Sequence, residues 1–344
     1  MRTQMLTGLR RLEIRDVPNP VLTGSRDVML KIRAVGVCGS DVHYYETGRI
    51  GSQIVQYPYA VGHECSAEVV QMGPEVKNLK AGQLVAVDPL IACGHCDQCL
   101  AGRVNTCRNQ KFLGCPGQVA GCLSEYIVMP EASCFTIDER VSAGQAVLSE
   151  PFAIGVYAAK QAGLTPDCRI AILGAGPIGL SVLEAAKALG VKTAYMTEII
   201  PERIEAANKA GAGYVSNPTK EDVVSEILAR EPLGVDVVFE AAGQQETLDQ
   251  AVEMLKPGGR LMVIGIFRED RISFVPDKVR RKEITVVNVR RQNECTRQAL
   301  DWIADRTADL DYMITHRFAF EDTDKAFDLV ANYKDGVIKA LIEM

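Results

Sequence analysis

Three side chains near the N-terminus carry the ligand types of a catalytic zinc site. Cys38 begins the stretch Cys38-Gly-Ser-Asp-Val-His43, and the pair His63-Glu64 follows about twenty residues later. A thiolate, an imidazole and a carboxylate can hold a catalytic zinc while leaving the fourth position open to water or substrate. Taken singly, Cys38 is typical of a small buried residue and His63 of a hydrogen-bonded core histidine. Their combination favours a metal.

Four cysteines indicate a second metal site. Cys93, Cys96 and Cys99 have CxxCxxC spacing, and Cys107 follows after seven intervening residues. Four thiolates in one short lobe fit a closed tetrahedral zinc that supports structure without doing chemistry. An iron-sulfur cluster is the competing metal, but the fourth cysteine lacks the x3-C-Pro ending of the bacterial ferredoxin run. His95, inside the lobe, is expected to be a solvated neighbour.

A glycine-rich loop predicts a dinucleotide site. The apolar strand Arg169–Leu173 runs into Gly174-Ala-Gly-Pro-Ile-Gly179, which begins a helix, and Glu198 ends the next strand 19 residues later. This spacing places pyrophosphate at a helix N-terminus and an acid at the adenosine ribose. Residue 199 is Ile, so no arginine adjoins the acid to take a 2'-phosphate, and NAD is preferred, although Arg203 follows one turn later. The alternative for Glu198 is a solvated helix-start residue.

The elements around these residues predict two domains. Residues 1 to about 90 contain short alternating strands such as Asp27–Gly36 and Ser66–Gln71, whereas helices and apolar strands alternate from about residue 145. Ligands bind beyond the carboxyl ends of such parallel strands, so the loops 241–243 and 265–267 should line the nicotinamide. The expected cofactor-binding residues are Gly174, Gly176, Pro177, Ile178, Gly179, Glu198, Arg203, Ala242, Gly243, Gly265 and Ile266.

The tail determines where the predicted domains end. The run Ile284–Val289 has the pattern of an isolated strand, and the residues after it mix a helix with short strands. We therefore expect the chain to return to the first domain. The predicted domains are residues 1–147 with 285–344, and a doubly wound, parallel-sheet dinucleotide domain over 148–284.

Composition limits the classes of partner. The chain has 344 residues, 47% hydrophobic and 24% charged, with a net charge of -6. This balance gives no electrostatic reason to expect nucleic acid or acidic membranes. The N-terminus has no apolar core of a signal peptide and no run is long enough to span a membrane, so a cytoplasmic protein with reduced cysteines is expected.

The CGSDVHYY and GHE stretches, the four-cysteine lobe and GAGPIG together resemble the zinc-dependent medium-chain dehydrogenases, in particular the sorbitol (polyol) dehydrogenase branch. The resemblance implies a GroES-like β-rich catalytic domain with an inserted Rossmann domain, and two zinc ions per subunit. Cys38, His63 and Glu64 would hold the catalytic zinc, with Glu150 near it directly or through water. Asp41 would orient His63. Cys93, Cys96, Cys99 and Cys107 would hold the structural zinc.

The same resemblance assigns a proton path and a substrate site. Ser40 would take the substrate proton and pass it toward solvent through the cofactor ribose and His43; alternatively, Ser40 caps a helix and His43 is a surface residue. Tyr44 and Arg290 match polyol-site residues, but Arg291 stands where typical polyol enzymes have tyrosine. Arginine suits carboxylates. The predicted substrate is a polyol or a sugar acid, unless Arg291 pairs with a carboxylate across a subunit interface.

Other functions stay open on the sequence alone. A threonine 3-dehydrogenase-like or simple secondary alcohol dehydrogenase would share the zinc and the cofactor loop. A non-catalytic protein that has kept the fold is the alternative from a different class. The resemblance also implies a homo-oligomer, a dimer or a tetramer, built by edge strands near Arg260–Ser273.

Overall fold

The computed structural model describes every residue from Met1 to Met344. The strands are β1 Arg2–Gly8, β2 Arg11–Asp16, β3 Asp27–Gly36, β4 Arg49–Ile50, β5 Gln53–Ile54, β6 Tyr59–Ala60, β7 Glu64–Met72, β8 Leu84–Val87, β9 Leu90–Ile91, β10 Lys111–Phe112, β11 Tyr126–Pro130, β12 Cys134–Thr136, β13 Arg169–Leu173, β14 Thr193–Thr197, β15 Tyr214–Ser216, β16 Val235–Glu240, β17 Leu255–Val263, β18 Thr285–Asn288, β19 Ile314–Ala319 and β20 Lys339–Glu343.

The α-helices are α1 Gly39–Thr47, α2 Asp97–Leu100, α3 Ala143–Val147, α4 Ser149–Ala162, α5 Pro177–Ala188, α6 Pro201–Lys209, α7 Val223–Arg230, α8 Gln245–Met254, α9 Pro276–Arg281, α10 Thr296–Ala304 and α11 Thr323–Ala331. Short 3-10 helices cover Val104–Thr106, Glu131–Ser133, Asp311–Met313, Phe320–Asp322 and Lys334–Gly336. None of these helices combines the length and the apolar character that crossing a bilayer requires.

Contacts within the chain define two compact units. The first contains Met1–Glu150, Thr296–Asp305 and Met313–Met344, and the second contains Pro151–Cys295 and Arg306–Tyr312. The second unit therefore interrupts the first along the sequence. The division into two domains, one of residues 1–147 with 285–344 and the other of residues 148–284, remains a prediction.

The first unit is built on a mainly antiparallel sheet in the order β12-β8-β7-β3-β20-β19, with β11 also paired to β3. Its central strand β3 has the predicted bounds, and its alternate side chains Val28, Leu30 and Ile32 are buried. The period of two places these apolar residues on one face, where they join the hydrophobic core. Strand β7, predicted over 66–71, begins two residues earlier at Glu64.

The second unit has a parallel six-stranded sheet in the order β15-β14-β13-β16-β17-β18. Strand β13 has the predicted bounds and is buried from Ile170 to Leu173, as expected for a strand covered by helices on both faces. Helix α5 follows with Pro177 in its first turn. A backbone N–H at this position would have no partner within the helix, so its absence in proline costs no hydrogen bond. The predicted doubly wound architecture is confirmed.

The position of β18 corrects two expectations. The run Ile284–Val289 was expected to be an isolated strand outside this sheet, but Thr285–Asn288 pairs in parallel with Arg260–Val263 of β17. Strand β17 therefore has partner strands on both sides and is not an edge of the sheet. The expectation that edge strands near Arg260–Ser273 build the oligomer is wrong for this strand. The edge on this side is β18. The apolar run Ile284–Val289, which contains β18, has only six residues, and so short a run does not specify which sheet it joins.

Candidate functional site

The predicted zinc ligands Cys38, His63 and Glu64 meet where two elements, α1 and β7, begin. Cys38 directly precedes α1, while His63 directly precedes β7 and Glu64 begins it. The ligand atoms of Cys38, His63 and Glu64 all lie within 4.8 Å of one another, and His63 and Glu64 are buried. Strand pairing brings Glu64 opposite Gly36 at the end of β3. Residues distant in sequence thus form one compact donor group.

Asp41, the residue predicted to orient His63, lies beside this group. It is fully buried in α1, and its carboxylate oxygens lie 3.2 Å from His63 Nδ1. Burial alone would lower the pKa of His63, but the negative charges of Asp41 and Cys38 outweigh it and raise the pKa well above its usual value. A carboxylate on Nδ1 fixes the imidazole ring and leaves Nε2 for a metal.

Glu150 lies near the group without joining it. It is buried in the first turn of α4, and its Oε2 has no hydrogen-bond partner. Burial raises the pKa of Glu150 to about 7, with His63 lowering it and Glu64 raising it. An unpaired buried carboxylate oxygen costs free energy. A metal or a water molecule held by the neighbouring donors would supply the missing partner.

Lys339, which no motif of the sequence predicts at this site, contacts the group directly. Its Nζ donates to both carboxylate oxygens of Glu64, at 2.6 and 2.8 Å, and to Val37 O at 3.3 Å. Burial would lower the pKa of Lys339, but Glu64 and Cys38 raise it above its usual value. A lone lysine in the apolar run 337–342 was the available signal in the sequence.

The predicted relay and substrate residues continue along α1. Ser40 Oγ donates to Cys38 Sγ at 3.3 Å, and His43, one turn later, is partly exposed. The buried Tyr44 donates its hydroxyl to Gln53 Oε1 at 2.9 Å, and Gln53 Nε2 donates to Cys115 Sγ at 3.0 Å. Gln53 and Cys115 could not be identified from the sequence, because they lie 62 residues apart and neither belongs to a motif.

The four-cysteine lobe also assembles. The sulfurs of Cys93, Cys96, Cys99 and Cys107 lie within 4.8 Å of one another. Backbone N–H groups, first that of His95, lower the pKa of Cys93 to about 6, whereas the partial loss of solvent around its thiol raises the pKa of Cys99 to about 12. His95 Nδ1 lies 2.7 Å from Cys93 O, so this nitrogen is engaged by the backbone. The donor set fits the closed tetrahedral zinc that was predicted.

In the second unit the glycine loop has the geometry of a phosphate-binding turn. Gly174 has a φ of +102°, and a Cβ on Gly179 would overlap the carbonyl oxygen of Gly174. Gly176 precedes α5, while Pro177 and Ile178 form its first turn. The N-terminus of α5 therefore presents free backbone N–H groups to an anion.

Glu198 is buried beside this loop and organises it. Its carboxylate accepts hydrogen bonds from the backbone N–H groups of Ala175, Ile199 and Ile200 at 2.8–3.1 Å. Arg203 is also buried, and its Nη1 lies 3.6 Å from the position that a Cβ on Gly176 would take. Both predicted residues therefore adjoin the glycine loop.

The two loops expected at the nicotinamide end are tied together by Glu240, at the end of β16. Its Oε1 accepts from the backbone N–H groups of Ala242 and Gly243, at 2.8 and 2.6 Å, and from Thr247 Oγ1 at 2.8 Å. Its backbone oxygen accepts from the N–H groups of residues 264 and 265. Glu240 thus organises both loops, including Gly265 and the exposed Ile266.

Replacing Glu240 with alanine is expected to raise the KM for NAD at least about tenfold. The change leaves two backbone N–H groups without their acceptor, and each such loss costs about 1–3 kcal/mol. Glu240→Gln should recover part of the effect because its amide oxygen can accept the same bonds. Initial rates at varied NAD provide the measurement, with Glu246→Ala on the exposed face of α8 as control. An unchanged KM in Glu240→Ala would contradict this role.

Arg290 and Arg291 lie in the second unit, two and three residues after β18 ends at Asn288. Arg291 is partly buried and adopts a positive φ of 53°. Their predicted contact with substrate remains a prediction.

Comparison with known proteins places this geometry in a family context. Residues 24–139 match the family described as alcohol dehydrogenase GroES-like domain, and residues 177–305 match the zinc-binding dehydrogenase family. The chain is 34% identical to sorbitol dehydrogenase of Bacillus subtilis, covering 99% of this chain and 97% of the relative. It is 33% identical to L-idonate 5-dehydrogenase of Vitis vinifera, covering 95% and 90%. A solved Escherichia coli oxidoreductase/dehydrogenase of unknown specificity superposes with a TM-score of 0.94 at 32% identity, covering 99% and 98%.

Proposed function

Because this chain belongs to the zinc-dependent medium-chain dehydrogenases, in their polyol dehydrogenase branch, we propose that it oxidises a secondary hydroxyl of a polyol to a ketone and transfers the hydride to NAD+. The observation that carries the proposal is the buried group of Cys38, His63 and Glu64. A thiolate, an imidazole and a carboxylate fit zinc and leave it an open position. When bound there, zinc supplies a Lewis acid that polarises a substrate oxygen.

The surrounding residues have separate roles in this proposal. Ser40, whose Oγ lies 3.3 Å from Cys38 Sγ, takes the proton of the substrate hydroxyl. His43, partly exposed on the next turn of α1, passes it toward solvent. Tyr44 binds a second hydroxyl of the polyol, and its bond to Gln53 orients the phenol oxygen. The chain would then hold the substrate by two oxygens and remove one proton.

The cofactor site supports NAD over NADP. The carboxylate of Glu198 is held by three backbone N–H groups, which fixes it at the end of β14 near the glycine loop. In that position it accepts from the ribose hydroxyls and repels a 2'-phosphate. Gly176, Pro177 and Ile178 receive the pyrophosphate at the start of α5, and the loops ending in Gly243 and Ile266 receive the nicotinamide.

A sugar acid, a hexonate such as galactonate or idonate, is the second candidate substrate. Arg291 stands where the polyol pattern has tyrosine, and a guanidinium binds a carboxylate with two parallel hydrogen bonds. The similarity to an L-idonate 5-dehydrogenase supports this alternative. The discriminating experiment is NADH formation by the purified, zinc-loaded protein with matched hexitols, pentitols and aldonic acids. Turnover confined to the acids would overturn the polyol proposal.

If the acid is the substrate, replacing Arg291 with tyrosine is expected to lower kcat/KM for hexonates about tenfold to a hundredfold. The loss of a charge-assisted bidentate bond costs about 1.5–3 kcal/mol. The kcat/KM for hexitols should stay the same or rise. Arg281→Tyr, at an exposed arginine paired with Asp277, serves as control. Unchanged selectivity in Arg291→Tyr would remove the argument for a sugar acid.

We further propose that the protein is a cytoplasmic homo-oligomer, a dimer or a tetramer. Strand β18 pairs only with β17, so its other edge offers backbone groups to a second copy. Light scattering of the purified protein measures the mass, and a monomer at micromolar concentration would contradict this proposal.

A further inference from the structure

Lys339 is the most unusual charged residue of the first unit. The residue is 1% exposed, and Glu64, to which it donates two hydrogen bonds, is also 1% exposed. Lysine is almost never fully buried unless it is paired. A buried ion pair is nevertheless weak evidence for stability, since apolar residues of similar volume often stabilise a fold equally well. The pair therefore calls for an explanation other than folding.

The surroundings of Glu64 leave its carboxylate little freedom. A Cβ on Gly36, the strand partner of Glu64, would overlap Glu64 Oε2, so the backbone of β3 closes one side. Lys339 contacts both carboxylate oxygens and reaches Val37 O. Glu150, by contrast, has a carboxylate oxygen without any hydrogen-bond partner. Between Glu64 and Glu150, it is Glu64 whose two carboxylate oxygens both accept hydrogen bonds.

We propose that Lys339 is a positioning residue that shares the Glu64 carboxylate with the catalytic metal and thereby weakens Glu64 as a metal ligand. This inference rests on the proposed function. A carboxylate has about four lone-pair sites. The ammonium occupies one on each oxygen, and the remaining sites are available to zinc.

The positive charge of Lys339 determines whether it strengthens or weakens Glu64 as a metal ligand. A partner that accepts a hydrogen bond from a metal ligand, as the Asp41 carboxylate beside His63 Nδ1 can, makes that ligand more basic. An ammonium that donates to a ligand does the opposite, because it draws electron density from the oxygens and repels the divalent cation. Lys339 therefore makes the metal easier to release and leaves it less neutralised by its ligands. A less neutralised cation is the stronger Lewis acid.

The test uses the metal-loaded full chain with Lys339→Met, which keeps the length of the side chain and removes its charge. We expect metal transfer from the Cys38 group to a chromogenic chelator to slow about tenfold and kcat to fall about tenfold to a hundredfold, the usual range for a group behind a metal ligand. The KM for NAD should not change. With Co²⁺ in this group, the visible absorption band should shift.

A double-mutant cycle separates positioning from a structural role. In a Glu64→Gln background, adding Lys339→Met should change neither the cobalt band nor kcat further, because Lys339 acts through the Glu64 carboxylate. In the otherwise wild-type chain, Lys339→Arg should keep the cobalt band and kcat closer to their wild-type values than Lys339→Met does. Lys282→Met removes a lysine that bonds three backbone carbonyls at the end of α8, and should lower stability without moving the cobalt band.

The outcomes also distinguish this inference from the proposed function. A wild-type chain that binds metal only in the four-cysteine lobe would overturn both. A wild-type chain that loads both sites and turns over, with metal release unchanged or faster in Lys339→Met, would overturn the role of Lys339 alone.

Discussion

Replacing Cys38 with alanine is expected to abolish NADH formation and to halve the zinc content from two ions per chain to one. The change removes the only thiolate of the Cys38–His63–Glu64 group and leaves an imidazole and a carboxylate that Lys339 already engages. Without the metal, the site loses a Lewis acid worth several kcal/mol of charge stabilisation. Since about 1.4 kcal/mol corresponds to a factor of ten, kcat/KM should fall about a thousandfold or more.

Two measurements keep this result from being mistaken for unfolding. Zinc is counted by elemental analysis, and NAD binding is measured separately, because the glycine loop and Glu198 lie in the other unit and should bind as in the wild type. Cys168→Ala is the matched control, since Cys168 contacts only Thr165 among polar partners and belongs to no ligand group. Two zinc ions with normal turnover in Cys38→Ala would show that Cys38 is not a ligand.

The sequence predicted the residues whose partners are close along the chain or whose spacing is itself informative. CxxCxxC, GxGxxG with a following acid, and the buried strand β13 each carry their evidence within about thirty residues. The doubly wound sheet followed from the alternation of strands and helices. Such patterns were sufficient because the local geometry they encode is nearly the same in any fold.

Residues that depend on distant contacts were missed. Lys339 meets Glu64 across 275 residues of sequence. Their strands, β20 and β7, become neighbours only because both pair antiparallel with β3, which lies between them. Helix α1 entered only as the alternative in which Ser40 caps a helix, and its bounds were not predicted. Its buried residues include the adjacent pairs Asp41-Val42 and Tyr44-Tyr45, which obscure a helical period. Strand β18 was separated from its sheet because a short apolar run does not identify its partner strand.

The four-cysteine lobe should depend on its metal far more than on its packing. Between Cys93 and Cys107 only Asn105 and Cys107 are buried, and the one α-helix in this stretch, α2, has four residues and none of them buried. Backbone order costs about 1–2 kcal/mol per residue, which so little buried surface cannot offset. A tetrahedral thiolate site supplies the missing free energy.

Replacing Cys99 with alanine is therefore expected to remove one zinc and to lower the stability of the first unit by about 4 kcal/mol or more, since loss of a structural metal is among the most damaging changes. The corresponding fall in Tm is about 10 °C. Thermal unfolding and zinc analysis measure both. Turnover of the protein that stays folded at low temperature should persist, because Cys38, His63 and Glu64 are untouched.

His95→Ala is the matched control within the same lobe. Its Nδ1 lies against Cys93 O, so the alanine variant should keep both metals and nearly the full Tm. If instead His95→Ala loses a zinc and Cys99→Ala keeps two, the imidazole and not Cys99 completes the tetrahedron. Loss of both metals in Cys99→Ala would mean that the lobe holds the Cys38 group together. In that case the lobe would have a part in the chemistry that a closed structural site is not expected to have.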